Sequence, residues 1–223
     1  MKTSIKGVFF DLDGTLIDTA PDLAFALNRV RLEHGKPVLP YTEARELMTN
    51  GSTILIAHSF GIDPDQNEFQ MLRSKFLAYY EEKLQHRSYV FHPFRELIQR
   101  FNQRQVPWGI VTNKPGRFTS AVIKGLAIPI EPHFVVSGDS AAKAKPHPEP
   151  VLLLCQRLQL DPAQCLLVGD SNNDMLAGKQ AGVATALAQW GYIPRHENHS
   201  LWHADYRLSS PQECAALLQR LLL

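Results

Sequence analysis

Five short apolar runs punctuate the chain, and the first four stop at polar residues. Residues 5–10 end at Asp11, 108–112 at Asn113, 134–136 at Ser137-Gly138-Asp139, and 166–168 at Gly169-Asp170; 183–187 is the fifth. Runs that are apolar throughout, without alternation, fit strands covered on both faces. Between them, helical spacing predicts helices over 94–103, 117–125, 149–158 and 175–181. Strand–helix alternation of this kind predicts an α/β fold, a Rossmann-like doubly wound parallel sheet. One interval breaks the rhythm. From 21 to 85 the pattern is helical with no convincing strand. Residues 23–32 read as a helix stopped by Gly35-Lys36-Pro37, and Phe69, Leu72, Phe76, Tyr79, Tyr80, Lys83 and Leu84 form one apolar stripe. A helical insert of about 65 residues, the size of a small domain, therefore follows the first strand.

Composition narrows the function. A chain of 223 residues with 44% hydrophobic and 20% charged residues builds a full core without disulfides or structural metal. A net charge of +1 provides no field for gathering nucleic acid or an anionic membrane, so neither is expected as a partner. No stretch approaches 18 apolar residues, and the N-terminal apolar run is too short for a signal peptide. Cys155, Cys165 and Cys214 are odd in number, far from any C-x-x-C pair and set among apolar neighbours. They read as buried thiols of a cytoplasmic protein. The expected state is monomer or homodimer.

In open parallel sheets, ligands bind outside the carboxyl ends of the strands. Asp11, Thr112 and Asp170 therefore converge on one crevice, with Asp13 two residues after Asp11 and Asp174 four after Asp170. Lys145 stands in Ala144-Lys145-Pro146-His147-Pro148. Four carboxylates in one crevice need compensation, since each like-charge pair at ~4 Å costs about 4 kcal/mol at an effective dielectric of ~20. A hard divalent cation with oxygen ligands meets that need. Mg2+ suits best, because it takes one or two carboxylates and accepts a substrate phosphate. Lys145 supplies a compact charge for a phosphate oxygen and Thr112 a hydroxyl donor.

These residues form four motifs in a known order. They are Asp11-Leu12-Asp13-Gly14-Thr15, Thr112-Asn113-Lys114-Pro115, Lys145-Pro146-His147-Pro148 and Gly169-Asp170-Ser171-Asn172-Asn173-Asp174. Together they resemble the haloacid dehalogenase superfamily over almost the whole chain. The resemblance implies an α/β core over 1–18 and 88–223, with a helical cap over 19–87. It also implies roles. Asp11 matches the nucleophile that forms an aspartyl-phosphate, and Asp13 matches the general acid and base. Thr112 and Lys145 match the residues that hold the phosphoryl group. Asp11, the Asp13 backbone carbonyl, Asp170 and Asp174 match the Mg2+ site. Asp13 also argues against dehalogenation, which needs no acid for a halide leaving group. Within the superfamily the sequence is similar to phosphatases of 2-phosphoglycolate, taken as the first substrate, and of N-acetylmuramic acid 6-phosphate. Phe91-His92-Pro93-Phe94 departs from the Pro-Gly pair usual at the return from cap to core. Asn113, Asn50 and Gly51 are the further substrate-binding candidates. Gly51 permits a tight turn and Ser52 reads as the cap of the following helix.

Other residues read as structure. Lys114 is expected at the surface and His147 as structural. His196, His199 and His203 are expected in a polar loop rather than a zinc site. A sugar phosphomutase and a phospho-receiver domain use overlapping chemistry. The receiver needs neither the helical insert nor the late acid pair at Asp170 and Asp174.

Overall fold

The structure, a computed structural model, describes residues 4–223 apart from the side chains of Asn50 and Pro132. In chain order the elements are β1 (Gly7–Phe10), β2 (Ile17–Asp18), α1 (Ala20–Glu33), α2 (Tyr41–Glu46), α3 (Gly51–Phe60), α4 (Asn67–Glu82), β3 (Tyr89–Val90), α5 (Phe94–Gln103), β4 (Trp108–Val111), α6 (Gly116–Gly125), β5 (Val135–Val136), α7 (Glu149–Leu158), β6 (Cys165–Gly169), α8 (Asn172–Ala181), β7 (Ala184–Ala188), β8 (Tyr206–Leu208) and α9 (Pro211–Leu222).

Six strands form one sheet in the order β5-β4-β1-β6-β7-β8, every neighbouring pair parallel. The chain steps outward from β1 through β4 to β5, then crosses back to place β6 on the other side of β1. The strand order reverses at β1, the position where open sheets of this kind form their binding crevice. Alternation within the strands explains the helices on both faces. Val8, Phe10, Ile110 and Val168 pack with residues of α5 and α9. Phe9, Val111 and Leu167 point the other way, against residues of α7 and α8. The α/β, doubly wound parallel sheet read from the sequence is present, and its five expected strands are all found.

α8 starts at Asn172, three residues before the periodicity begins. The reason is a capping box: the Ser171 hydroxyl accepts from the Asp174 N–H while the Asp174 carboxylate accepts from the Ser171 N–H. Three elements lay beneath the reach of periodicity. β8 is three residues long and half polar, and β2 and β3 are two-residue strands that pair antiparallel, Ile17 with Val90 and Asp18 with Tyr89.

Between β2 and β3 lie α1 to α4, with no strand among them. These helices gather their own hydrophobic cluster, including Leu27, Leu55, Ile56, Phe69, Leu72, Phe76 and Tyr80, which meets the remainder of the chain at Phe118 and Tyr192. Buried Asp22 ties the two ends of the segment together: its carboxylate accepts from the Arg87 N–H (2.9 Å), the Ser88 N–H (3.0 Å) and the Ser88 hydroxyl (2.6 Å). One member of the predicted stripe differs. Tyr79 lies at the outer edge, with the Arg29 guanidinium 3.8 Å from its ring centre and its hydroxyl donating to Glu33.

Candidate active site

Most of the chemically active side chains are delivered by the end of a strand or the start of a helix. Asp11 directly follows β1, Thr112 follows β4, and Asp170 follows β6. The capping box that starts α8 fixes Asp174, so one residue both begins a helix and faces the site. Lys145 comes from the loop between β5 and α7. Its neighbour Lys143 is exposed, whereas Lys145 is buried. Asn113 explains the difference. Its amide donates to the Lys145 carbonyl (2.8 Å) and accepts from the Lys145 N–H (2.9 Å), which pins the loop. The asparagine expected on the substrate therefore positions the lysine, although it also lines the cavity.

The Lys145 ammonium donates to Asp11 (2.7 Å), to Asp174 (2.5 Å) and to the Val111 carbonyl (2.6 Å). Carboxylate oxygens of Asp11, Asp170 and Asp174 lie within 4.8 Å of one another, all three residues buried. Burial pushes the Asp11 carboxyl up to about 7; Lys145 opposes that rise and Asp174 adds to it. Asp170 is held well above the usual carboxylate range by burial first, then by Asp11 and Asp174, against donation from the Tyr192 N–H and the Thr15 hydroxyl. Burial works against the Lys145 charge, but Asp11 and Asp174 outweigh it and raise the ammonium above an ordinary lysine. Three carboxylates face one ammonium, an all-oxygen donor set with surplus negative charge. Such a set fits a hard divalent cation. Backbone crowds these acids so closely that only glycine fits beside them. Gly14 has φ +82°, and a Cβ there would stand 2.3 Å from an Asp170 oxygen; at Gly169 it would stand 2.3 Å from Asp174 Cγ.

Asp13 stands apart from the three. Its carboxylate accepts from the Thr19 hydroxyl (2.5 Å) and from the Lys114 ammonium (3.1 and 3.2 Å). This corrects the surface reading of Lys114, whose side chain is 7% exposed and donates also to the Tyr80 hydroxyl (2.9 Å). Burial disfavours its charge, but Asp13 and Tyr80 raise it above an ordinary lysine. The available signal was position: Lys114 shares the loop of Thr112, at the same sheet end. Tyr80 in turn is pushed up to about 12, chiefly by burial.

Tyr192 also escaped assignment. Its N–H donates to Asp170 (2.7 Å), while its hydroxyl accepts from the Thr19 and Ala20 N–H groups (2.7 and 2.9 Å) and donates to Asp18 (2.9 Å). One residue thus links a candidate metal ligand to the start of α1. Asp139, at the end of β5, turns away and accepts from the Gly116 N–H. His147 behaves as expected, accepting from the Glu149 N–H. His199 opens a short 3-10 turn, and among the described residues the only clustered ligand set is that of Asp11, Asp170 and Asp174.

Above these groups opens a cavity of about 310 Å³. Asp11, Asp13, Thr112, Lys114, Lys145 and Asp170 line its floor. The opposite wall comes from the helical segment, with Leu55, Phe76 and Leu77 beside Thr49, Ser52 and Arg73. Gly51 lies in this wall with φ +71°, the turn expected there. Ser52 does not cap α3, which already starts at Gly51; its hydroxyl accepts from Arg73 Nε (3.1 Å). The Asn50 side chain lies outside the described residues.

Known proteins resemble this chain in sequence and fold. The haloacid dehalogenase-like hydrolase family matches residues 5–182. The chain is 35% identical over 218 residues to an N-acetylmuramic acid 6-phosphate phosphatase of Pseudomonas aeruginosa, covering 98% of this chain and 96% of that protein. It is 33% identical over 208 residues to a phosphoglycolate phosphatase of Xanthomonas campestris, covering 93% and 94%. A crystal structure described as a predicted phosphoglycolate phosphatase from Haemophilus somnus superposes with a TM-score of 0.83 at 27% identity, covering 99% of both chains. The strand-end acids, the buried lysine and these matches have one reading: the chain belongs to the haloacid dehalogenase-like hydrolases.

Proposed function

We propose that this hydrolase is a Mg2+-dependent phosphomonoesterase that works through an aspartyl-phosphate at Asp11 and acts on a small organic phosphate. The observation that carries the reading is the buried Asp11–Lys145–Asp174 cluster at the end of β1, with Asp13 held separately across the same cavity floor.

In this reading an Asp11 oxygen attacks phosphorus while Lys145 and the Thr112 hydroxyl hold the phosphoryl oxygens. The bond to the ester oxygen breaks, and Asp13 gives that oxygen a proton. Asp13 then takes a proton from water, and the resulting hydroxide attacks phosphorus and releases phosphate from Asp11. Splitting the displacement in two is the gain of a carboxylate nucleophile. Lys114 and the Thr19 hydroxyl hold Asp13 in place without competing for the phosphoryl group. Asp11, the Asp13 carbonyl, Asp170 and Asp174 would hold Mg2+, which when bound neutralises the acids and the phosphate charge. We read residues 19–87 as a cap domain over a core of 1–18 and 88–223. Support comes from its separate hydrophobic cluster and from the β2–β3 ribbon at its two ends. Asn50 and Gly51 belong to the cap loop facing the leaving group.

Of the two substrates raised by the sequence, 2-phosphoglycolate came first. The apolar wall and the cavity size support the bulkier N-acetylmuramic acid 6-phosphate as a second candidate. About 310 Å³ with an apolar wall reaches the size at which pockets enclose drug-sized ligands. Phosphate release from a panel holding both esters and p-nitrophenyl phosphate, with and without Mg2+, tests the proposal. Mg2+-dependent release supports it, and no release from any ester overturns it.

A further inference from the structure

The charges around the cavity are distributed unevenly. On the floor, both lysines already face carboxylates: Lys145 is held by Asp11 and Asp174, and Lys114 by Asp13. Among the described residues, the wall built by α1 to α4 contributes no carboxylate to the lining. It contributes one cation, Arg73 of α4. Arg73 uses Nε on the Ser52 hydroxyl (3.1 Å), and among the described residues it makes no ion pair and its two terminal nitrogens donate to no protein group. The Ser52 contact fixes the guanidinium against the start of α3. Leu55, Phe76 and Leu77 share this wall.

A half-buried guanidinium fixed at Nε and open at both terminal nitrogens is arranged for a planar, bidentate anion. The phosphoryl group goes to the opposite end of the cavity, where Lys145 and the cation site await it. We infer that Arg73 is a specificity-determining residue that binds a carboxylate on the leaving group of the substrate, so that the site prefers phosphate esters of hydroxy acids. The inference rests on the phosphomonoesterase reading and deepens it. A leaving group with an apolar or ring-shaped body and one carboxylate fills the wall. A neutral leaving group of the same size leaves the guanidinium without its anion.

Matched pairs of esters test this. N-acetylmuramic acid 6-phosphate differs from N-acetylglucosamine 6-phosphate by a carboxylate-bearing ether, and 2-phosphoglycolate is matched by ethyl phosphate. The readout is the ratio of kcat/KM for acid over match, with p-nitrophenyl phosphate as a reference. The wild-type chain should favour the acid at least about tenfold in one pair. Arg73→Gln should cut that ratio about tenfold or more, mainly through KM, and Arg73→Lys should restore part of it. Thermal melting of both variants reports folding. Equal losses on acid and match, or no preference in either pair, would overturn the inference. So would a wild-type chain that releases phosphate only from p-nitrophenyl phosphate, and that result would leave the phosphomonoesterase reading intact. No release from any ester would instead remove that reading, and this inference with it.

Discussion

The floor and the wall of the cavity are built by opposite rules. The floor is polar and mostly buried: Asp11 and Asp174 share Lys145, Asp170 lies beside them, and Gly14 and Gly169 let the backbone press against these acids. The wall is a set of helices packed on Phe69, Leu72, Phe76 and Tyr80, offering apolar surface and one open cation. Charge crowding on the floor is costly unless a cation offsets it, and that cation can then take a phosphate, so the floor is specialised for one chemistry. The wall carries no such constraint, and its side chains can vary with the leaving group. Tyr80, Lys114 and Asp13 join the two regions through a continuous set of contacts.

The largest effects should come from breaking the floor. Removing divalent metal with EDTA should abolish phosphate release, and Mg2+ should restore it. Ca2+ should bind but support little turnover, because its longer, looser coordination spoils in-line geometry. Stability should show the same cluster. Asp11 has an ordinary value of 3.8 and a folded value of about 7, so across that window the folded chain keeps a proton that the unfolded chain releases. Metal-free stability should therefore fall as pH rises through the window, and Mg2+ should raise Tm more at about pH 8 than at about pH 6. A Tm gain independent of pH contradicts this. Next, Asp11→Asn should lower kcat/KM more than about 100-fold, or ~2.7 kcal/mol, while flattening the pH dependence of metal-free stability. Smaller is the cost of cutting the link between floor and wall. Lys114→Met should lower kcat about tenfold, ~1.4 kcal/mol, by loosening Asp13, with metal affinity retained. Smallest is a change within the wall. Ile56→Val, at a fully buried position, should cost about 0.5–1.5 kcal/mol in a denaturant melt and leave kcat near wild type.

The sequence exposed the floor far better than the wall, for a physical reason. A strand buried on both faces is a short apolar run, and the residue that ends it must lie at the sheet edge. Asp11, Thr112 and Asp170 could therefore be placed in one crevice although they are far apart in the chain. The motif Lys145-Pro146-His147-Pro148 set Lys145 apart from Lys143, and the two Asn113 hydrogen bonds that pin its loop lay beyond the reach of the sequence. Lys114 and Tyr192 act through tertiary contacts that no periodicity encodes, and Arg73 lies one residue beyond a core position of an ordinary amphipathic helix. Helical spacing reveals which residues are buried, but not which exposed residue will face a cavity between two packed layers. The strands β2, β3 and β8 are too short to carry a pattern.

The central claim is that Asp11 carries the phosphoryl group, and its intermediate can be caught directly. An acyl phosphate is reduced by borohydride whereas a free carboxylate is not. The enzyme, turning over a saturating ester with Mg2+, is quenched into borohydride, digested and sequenced by mass spectrometry. The account predicts homoserine at position 11, dependent on substrate and on Mg2+. Phosphate release at the normal rate with an unmodified Asp11, or reduction at another carboxylate, would contradict it.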